Sequence, residues 1–381
     1  MQPERISEFK TGRLLPIQSW RGNDWAFVPD NLPSDWAMPE RLWPLVVEAR
    51  AVLGRFDGIA ATLPSPRLLL RPLQRREALR SSSLEGTYVK PQELLLFEAE
   101  GKKDPGGSPR TADWVEVFNY DRAMRLGERR IRNGAPLNGA LILALHRVLL
   151  EDVRGEDRSP GQFRQKQVHV GTDRRYNPPP PEEIPRCLAN LEQYLLSEDQ
   201  PDPLLRAFIA HYQFEAIHPF LDGNGRIGRV VLSLTVYKWL GLSRPWLYLS
   251  EFFERHRDDY VTRLFRVSTH GEWEEWVEFC LKGTIEQTLT SIKRCNELRA
   301  LRRKYLATPG AQGPRMSRII ERLFSSPLLR IVDVKNDFSV SYATAKADVR
   351  KLVEEGILDV LPDTYPKAFI APRIVEIAYV D

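Results

Sequence analysis

A chain of 381 residues that is 42% hydrophobic can bury at least one large core, and about 150 residues per domain suggests two or three units. A formal net charge of +4 over that length is too mild to argue by itself for a nucleic-acid or membrane partner. No run of 18 apolar residues occurs and residues 1–30 hold no uninterrupted apolar core of signal-peptide length, so neither a membrane span nor a signal peptide is expected, and a cytoplasmic location is. Cys187, Cys280 and Cys295 are far apart and form no Cys-x-x-Cys pair. They read as packing residues of a protein from a reducing compartment.

In chain order, residues 1 to about 40 are rich in Pro, Trp and Arg without a regular period and read as an extended arm. From Arg41 the apolar spacing (Leu42, Leu45, Val46, Ala49, Val52, Leu53) turns helical, and a second helix is predicted from about Arg71 to Ser83. Pro72 fits its first turn and Gly86 stops it. Residues 101–110 are a loop, followed by helical patterns at Ala112–Asn133 and Asn138–Leu150. The alternation of Gln167 to Val170 reads as a strand ended by the Pro178 to Pro181 run. Helices are then expected at Ile184–Leu196, Pro203–Ile217 and Ile227–Leu240, the last closed by Gly241, with two or more further helices beyond. Thr308–Pro314, TPGAQGP, reads as a linker.

The densest chemistry lies in IHPFLDGNGRIGRVV, Ile217 to Val231. A Gly-Asn-Gly turn ahead of a helix presents backbone N–H groups with no side chains in the way, and the helix end adds partial positive charge; phosphate is the natural guest. Arg226 and Arg229 lie three apart, on one helix face, where guanidinium forks can grip phosphoryl oxygens. Asp222 stands where a carboxylate can hold a Mg²⁺ ion shared with phosphates. His218 can take a proton from an incoming hydroxyl, since imidazole titrates near neutral pH. Phe220 reads as the loop's anchor in the core. Each of these alone is more often ordinary packing or a solvated face. Together they supply base, metal ligand, anion nest and charge clamp for phosphoryl or nucleotidyl transfer.

The string resembles the motif of the Fic (filamentation induced by cAMP) family, H-x-F-x-[D/E]-G-N-[G/K]-R-x-x-R, with His218, Phe220, Asp222, Gly223, Asn224, Gly225, Arg226 and Arg229 filling every specified position. The resemblance spans roughly Arg41 to Ala300. It implies a helical fold and transfer of AMP from ATP, with Mg²⁺, onto a protein hydroxyl. His218 would be the base and Asp222 the metal ligand. Gly223, Asn224 and Gly225 would cradle the α and β phosphates, Arg226 and Arg229 would hold the outer ones, and Ile227 and Gly228 complete the ATP-binding turn. Related Doc-like kinases tend to lack the Gly-Asn-Gly-Arg string, so its presence favours nucleotidyl transfer over phosphorylation.

EALRSSSLEGTYV, Glu77 to Val89, resembles the family's inhibitory motif [S/T]-x-x-x-E-[G/N], with Ser81, Glu85 and Gly86 in place. By that analogy Glu85 would pair with Arg229 and bar productive ATP binding in cis; without it, the stretch is a helix end with a capping glycine. Gln167 to Pro181 falls where the family carries a β-hairpin flap that registers a target segment, with Val170, Gly171, Thr172 and Asp173 facing the nucleotide by position. Leu247 to Phe265 resembles the region whose tyrosine approaches the adenine, which points to Tyr260.

From Pro314 onward the pattern resembles a winged helix: a helix at Met316–Ser325, a short helix, a turn at Val340 and Ser341, a second helix at Tyr342–Glu355, Gly356 as its cap and an extended wing. Between Arg315 and Asp381 ten Lys or Arg balance ten Asp or Glu. That balance places protein contact or domain packing ahead of DNA, although Lys346, Arg350 and Lys351 form a local basic patch.

The expectation is a mainly α protein: a Fic-type helical core with a small β-hairpin flap, plus a C-terminal winged-helix-like α+β domain. The divisions are 1–110 (arm and inhibitory helices), 111–307 (catalytic core and following helices) and 315–381. The expected activity is protein adenylyl transfer from ATP with Mg²⁺ onto a Ser, Thr or Tyr hydroxyl of another protein or of itself, inhibited by Glu85. Two readings stay open on the same residues, a hydrolase removing AMP and a nucleotide-sensing DNA-binding regulator. A homodimer is an expectation from the family alone.

Overall fold

A computed structural model describes residues 10–19, 22–32, 36–62, 66–99, 109–153, 158–171, 176–197, 202–362 and 364–380. Two compact units emerge: Met1–Asp57, Arg80–Thr87 and Phe118–Thr288 form one, and Gly58–Leu79, Tyr88–Val117 and Leu289–Asp381 the other. The elements in order are strands β1 (Gly12–Ser19) and β2 (Gly22–Pro29), then helices α1 (Trp43–Ala61), α2 (Pro66–Leu84), α3 (Pro91–Ala99), α4 (Pro109–Arg132), α5 (Gly139–Leu149), α6 (Ile184–Leu196), α7 (Pro203–Ile217), α8 (Asn224–Trp239), α9 (Ser250–Arg255), α10 (Arg257–His270) and α11 (Trp273–Leu306). No helix among the described residues is long and apolar enough to cross a membrane.

In the first unit α7 and α8 pack against each other and are buried on nearly every side, as helices without a polar face must be. Asp202 caps α7 by accepting from Leu204 N at 2.8 Å, and Asn138 caps α5 by accepting from Leu141 N at 3.0 Å. Cys187 and Cys280 are free and buried here, as is Cys295 in the second unit, and burial pushes the Cys187 thiol up to about 11.

Two expectations for the first unit are corrected. The N-terminal arm contains an antiparallel ladder, β1 against β2, running from Gly12 opposite Pro29 to Ser19 opposite Gly22. Pro16 hides it from a sequence scan, yet an edge strand tolerates proline, and β2 buries Ala26, Phe27 and Val28. Conversely, among the described residues the strand at Gln167–Val170 is reduced to one bridge, Val170 to Tyr176, because neighbouring polar groups turn to side chains and the proline run supplies no donors. Arg164 donates to the carbonyls of Lys166 and Pro179, and Gln167 to those of Val168 and Pro178. Pro72 is also displaced, lying inside α2 rather than in its first turn.

The second unit ends in α12 (Pro314–Ser325), β3 (Leu328–Arg330), α13 (Ile331–Phe338), α14 (Tyr342–Glu354), β4 (Asp359–Leu361), β5 (Ala368–Ile370) and α15 (Pro372–Tyr379), with the sheet in the order β3-β5-β4. Met316, Ile319, Ile320, Leu323 and Phe324 form the apolar stripe of α12. Ser341 caps α14, and Gly356 takes the left-handed conformation beyond it at φ 66°. The short strand β3 and the last helix, α15, were not anticipated from the sequence.

Candidate functional site

The motif residues begin in the six-residue passage between α7 and α8, His218 to Gly223, and continue through the first turns of α8 to Arg229. His218 ends α7 with φ 50° and ψ 60°, a left-handed conformation uncommon in residues other than glycine. Tyr176 donates its hydroxyl to Ala216 O at 2.7 Å, and Arg164 Nε donates to His218 O at 2.8 Å, so the strained turn is held from two sides. Burial and then the Arg164 charge push the His218 imidazole down to about 4, while the Glu85 carboxylate works the other way. The ring is therefore neutral at pH 7 and able to accept a proton.

Phe220 is fully buried and stacks on His146, ring centroids 3.7 Å apart, with Phe163 and Phe214 around it. Asn224 accepts from Phe220 N at 2.8 Å and donates to Phe220 O at 2.9 Å. The asparagine thus serves the loop's own backbone, a role its place in an anion nest did not suggest. His146 accepts from Gly161 N at 2.9 Å through Nδ1, which makes Nε2 the donor to Asp222 O at 3.0 Å. Burial pushes that imidazole down to about 3, so it too is neutral.

Gly223 caps α8 at φ 78° and donates to Asp222 Oδ1 at 2.6 Å. The first-turn N–H groups of α8 then have no partner within the helix and open toward the loop. Asp222 also accepts from Arg226 Nη2 at 3.3 Å and pairs with Arg158. Arg229, 3% exposed, donates from Nε to Ser81 Oγ at 2.9 Å and from Nη2 to Ser81 O and Glu85 Oε1, both at 2.8 Å.

Glu85 reaches that position because α2 stops one residue earlier. Thr87 N and Glu85 N both donate to Ser82 O, and Gly86 turns the chain at φ 93°. Ser83 and Arg80 bind Glu254 of α9, which holds the end of α2 in place. Burial works to raise the Glu85 carboxyl, but the Arg229 charge and hydrogen bond outweigh it and hold the group below its usual range. Gly225 leaves room for this carboxylate, since a methyl group on it would press on Glu85 Oε1 where it now sits.

The structure thus gathers Ser81, Glu85, Asp222, Gly223, Asn224, Gly225, Arg226 and Arg229 about one loop, with His218 at its start. Ile227 is buried, and Gly228 packs against Phe214 and Glu215. Val170 donates to Tyr176 O at 2.9 Å and Gly171 takes φ 85°; Thr172 and Asp173 lie outside the described residues. Tyr260 is 5% exposed, stacked on Phe253 with centroids 4.4 Å apart and hydrogen-bonded to His211 Nε2 at 2.9 Å, so its ring is taken up by packing. Sequence reasoning assigned no role to Arg164, Tyr176, His146, Arg158, Glu215 or Glu254. Of these, Tyr176 alone lies in the stretch already flagged, Gln167 to Pro181.

Fold and site define a class of helical proteins in which a glycine-rich helix N-terminus, a neutral histidine and a carboxylate-bound arginine share one loop. The Fic/DOC family model matches residues 136–236 and the Fic/DOC family N-terminal model residues 43–129. The chain belongs to the Fic family. It is 37% identical over 160 residues to the protein adenylyltransferase fic-1 of Caenorhabditis briggsae, a match covering 41% of this chain and 30% of that one. It is 28% identical over 242 residues to the protein adenylyltransferase Fic of Nematostella vectensis, covering 62% and 53%. The matched stretches thus span about a third to a half of these relatives' length. Among solved structures, a Fic family protein from Desulfovibrio desulfuricans G20 superposes with a TM-score of 0.56 at 21% identity, covering 88% of this chain and 98% of that one. Fic-1 (residues 134–508) from C. elegans gives 0.53 at 22%, covering 66% and 74%. These two likenesses concern the fold.

Proposed function

We propose that the protein is a protein adenylyltransferase that moves AMP from ATP to a Ser, Thr or Tyr hydroxyl of a protein and is held inactive in cis by Glu85. The observation that carries this reading is the Glu85–Arg229 ion pair, which places a carboxylate on a guanidinium beside an anion-binding helix start. Family relatives named as protein adenylyltransferases support the activity. In the active state Arg226 and Arg229 bind the outer phosphates and the first-turn N–H groups of α8 bind the inner ones. His218 takes the proton of the incoming hydroxyl as its oxygen forms a bond to the α-phosphorus, and the α–β bridging oxygen leaves with pyrophosphate.

Mg²⁺ fits the donor set. Asp222 is a partly exposed carboxylate, and Mg²⁺ commonly takes one or two carboxylates plus substrate oxygens. Its present partner Arg158, 44% exposed, is the group that yields Oδ2. When bound, the ion supplies charge neutralisation of the phosphates.

The test is incubation of wild type, Glu85→Gly and Glu85→Gly/His218→Ala with Mg²⁺ and either α-labelled or γ-labelled ATP, following label on protein. The expected result is α-label only, strongest in Glu85→Gly and lost with His218→Ala. Equal α-labelling of wild type and Glu85→Gly removes the inhibitory role, and label from the γ position makes the enzyme a kinase.

A further inference from the structure

Glu215, three residues before His218 on α7, stands where the base and the clamp meet. Its backbone carbonyl lies against the His218 ring and favours that ring's protonated form. Its side chain lies across Gly228 of α8, where a methyl group would collide with Oε1, next in sequence to Arg229. Oε1 is buried and has no hydrogen-bond partner among the described residues. Charged and titratable groups face this carboxyl from three other elements: Arg229 on α8, Glu85 beyond α2 and Tyr260 on α10, whose hydroxyl bonds His211 of α7 itself. Nothing in the transfer mechanism above uses Glu215.

We infer that Glu215 is a positioning residue for Arg229: a second carboxylate that stays neutral while Glu85 holds the guanidinium and becomes its counter-ion when Glu85 withdraws. The inference rests on the proposed function in taking Glu85 as a movable inhibitor. Two carboxylates near one buried guanidinium cannot both ionise cheaply. Burial pushes Glu215 up to about 8, with Glu85 adding to the rise and Arg229 opposing it. Removal of Glu85 deletes one contribution to the rise and leaves Arg229 without its ion-pair partner, and a buried cation so stranded is costly. Ionised Glu215 then keeps the guanidinium in place until phosphate arrives.

Glu215→Gln imitates the neutral acid and separates this role from simple packing. With Glu85 present, the native-state value near 8 lies above the ordinary 4.5, so Glu215 costs stability progressively as pH rises between the two. The glutamine removes that cost, and Tm at about pH 7.5 is unchanged or raised. On the Glu85→Gly background the same change removes an ion pair and lowers Tm by about 2–4 °C. An equal fall in both backgrounds overturns the inference. This readout needs no turnover, so it stands or falls separately from adenylyl transfer. As a second measurement, a non-hydrolysable ATP analogue with Mg²⁺ should bind Glu85→Gly/Glu215→Gln about tenfold more weakly than Glu85→Gly at about pH 7.5, the gap closing toward pH 5. A gap that does not change with pH overturns the inference as well.

Discussion

The motif loop and the exposed face of α14 both gather basic side chains, yet their settings are opposite. Arg164, Arg226 and Arg229 are 1%, 3% and 3% exposed. Lys346, Arg350 and Lys351 are exposed, and Arg350, 78% exposed, pairs with Glu354 one turn along. A cation taken out of water is tolerable only where partners have been built for it, and each of the three buried arginines has them. A solvated cation makes no such demand. Disturbance should therefore spread through the loop and stop at the surface of α14.

The largest expected effect is in rate. On the Glu85→Gly background His218→Ala should cut transfer by about 10²–10⁴-fold while a nucleotide analogue still binds; loss of binding together with rate would make the histidine structural. Next comes Phe220→Ala, which empties the stack on His146 and should cost about 3–5 kcal/mol in denaturant titration. Asn224→Ala orphans both backbone groups of Phe220 and should cost about 1–3 kcal/mol, with a fall in transfer although the mutated side chain binds only the loop.

A smaller effect tests the inhibitory pair. The Glu85 carboxyl lies below its ordinary 4.5, so the stability this pair adds is fully present above that value and is lost only as pH falls through the depressed one. At ATP concentrations that saturate Glu85→Gly at every pH, the labelling ratio of wild type to Glu85→Gly should accordingly stay constant from about pH 7 to pH 5; a ratio rising near pH 6 would show that another group holds the site closed. The smallest is Arg350→Ala, whose partner is exposed and one helical turn away, with a change within about 0.5 kcal/mol. A larger loss there would mean that the contrast between buried and solvated cations is wrong.

Local pattern determined much of the scaffold. The ranges read for α6 and α7 coincide with those observed, because both carry proline in the first turn and α6 keeps a one-sided apolar stripe. The start of α8 was read three residues late, at Ile227 instead of Asn224, since two glycines and an asparagine disguise a first turn whose purpose is to leave N–H groups open. The hairpin of β1 and β2 was missed for a related reason. Its strands are stabilised by the register they share and by a buried face, neither of which lies within one strand's sequence.

The residue types and spacing of the loop were thus set by the sequence: a histidine, an acid, a glycine pair and two arginines, with a glutamate more than a hundred residues earlier. Tertiary structure alone decided which atoms meet. It turned Asn224 inward onto Phe220, seated Arg158 on Asp222, laid Glu85 over Gly225 onto Arg229, and left Glu215 beside the same guanidinium. The physical reason is that burial sets the energy of a charge, and burial depends on chain segments that are remote in sequence.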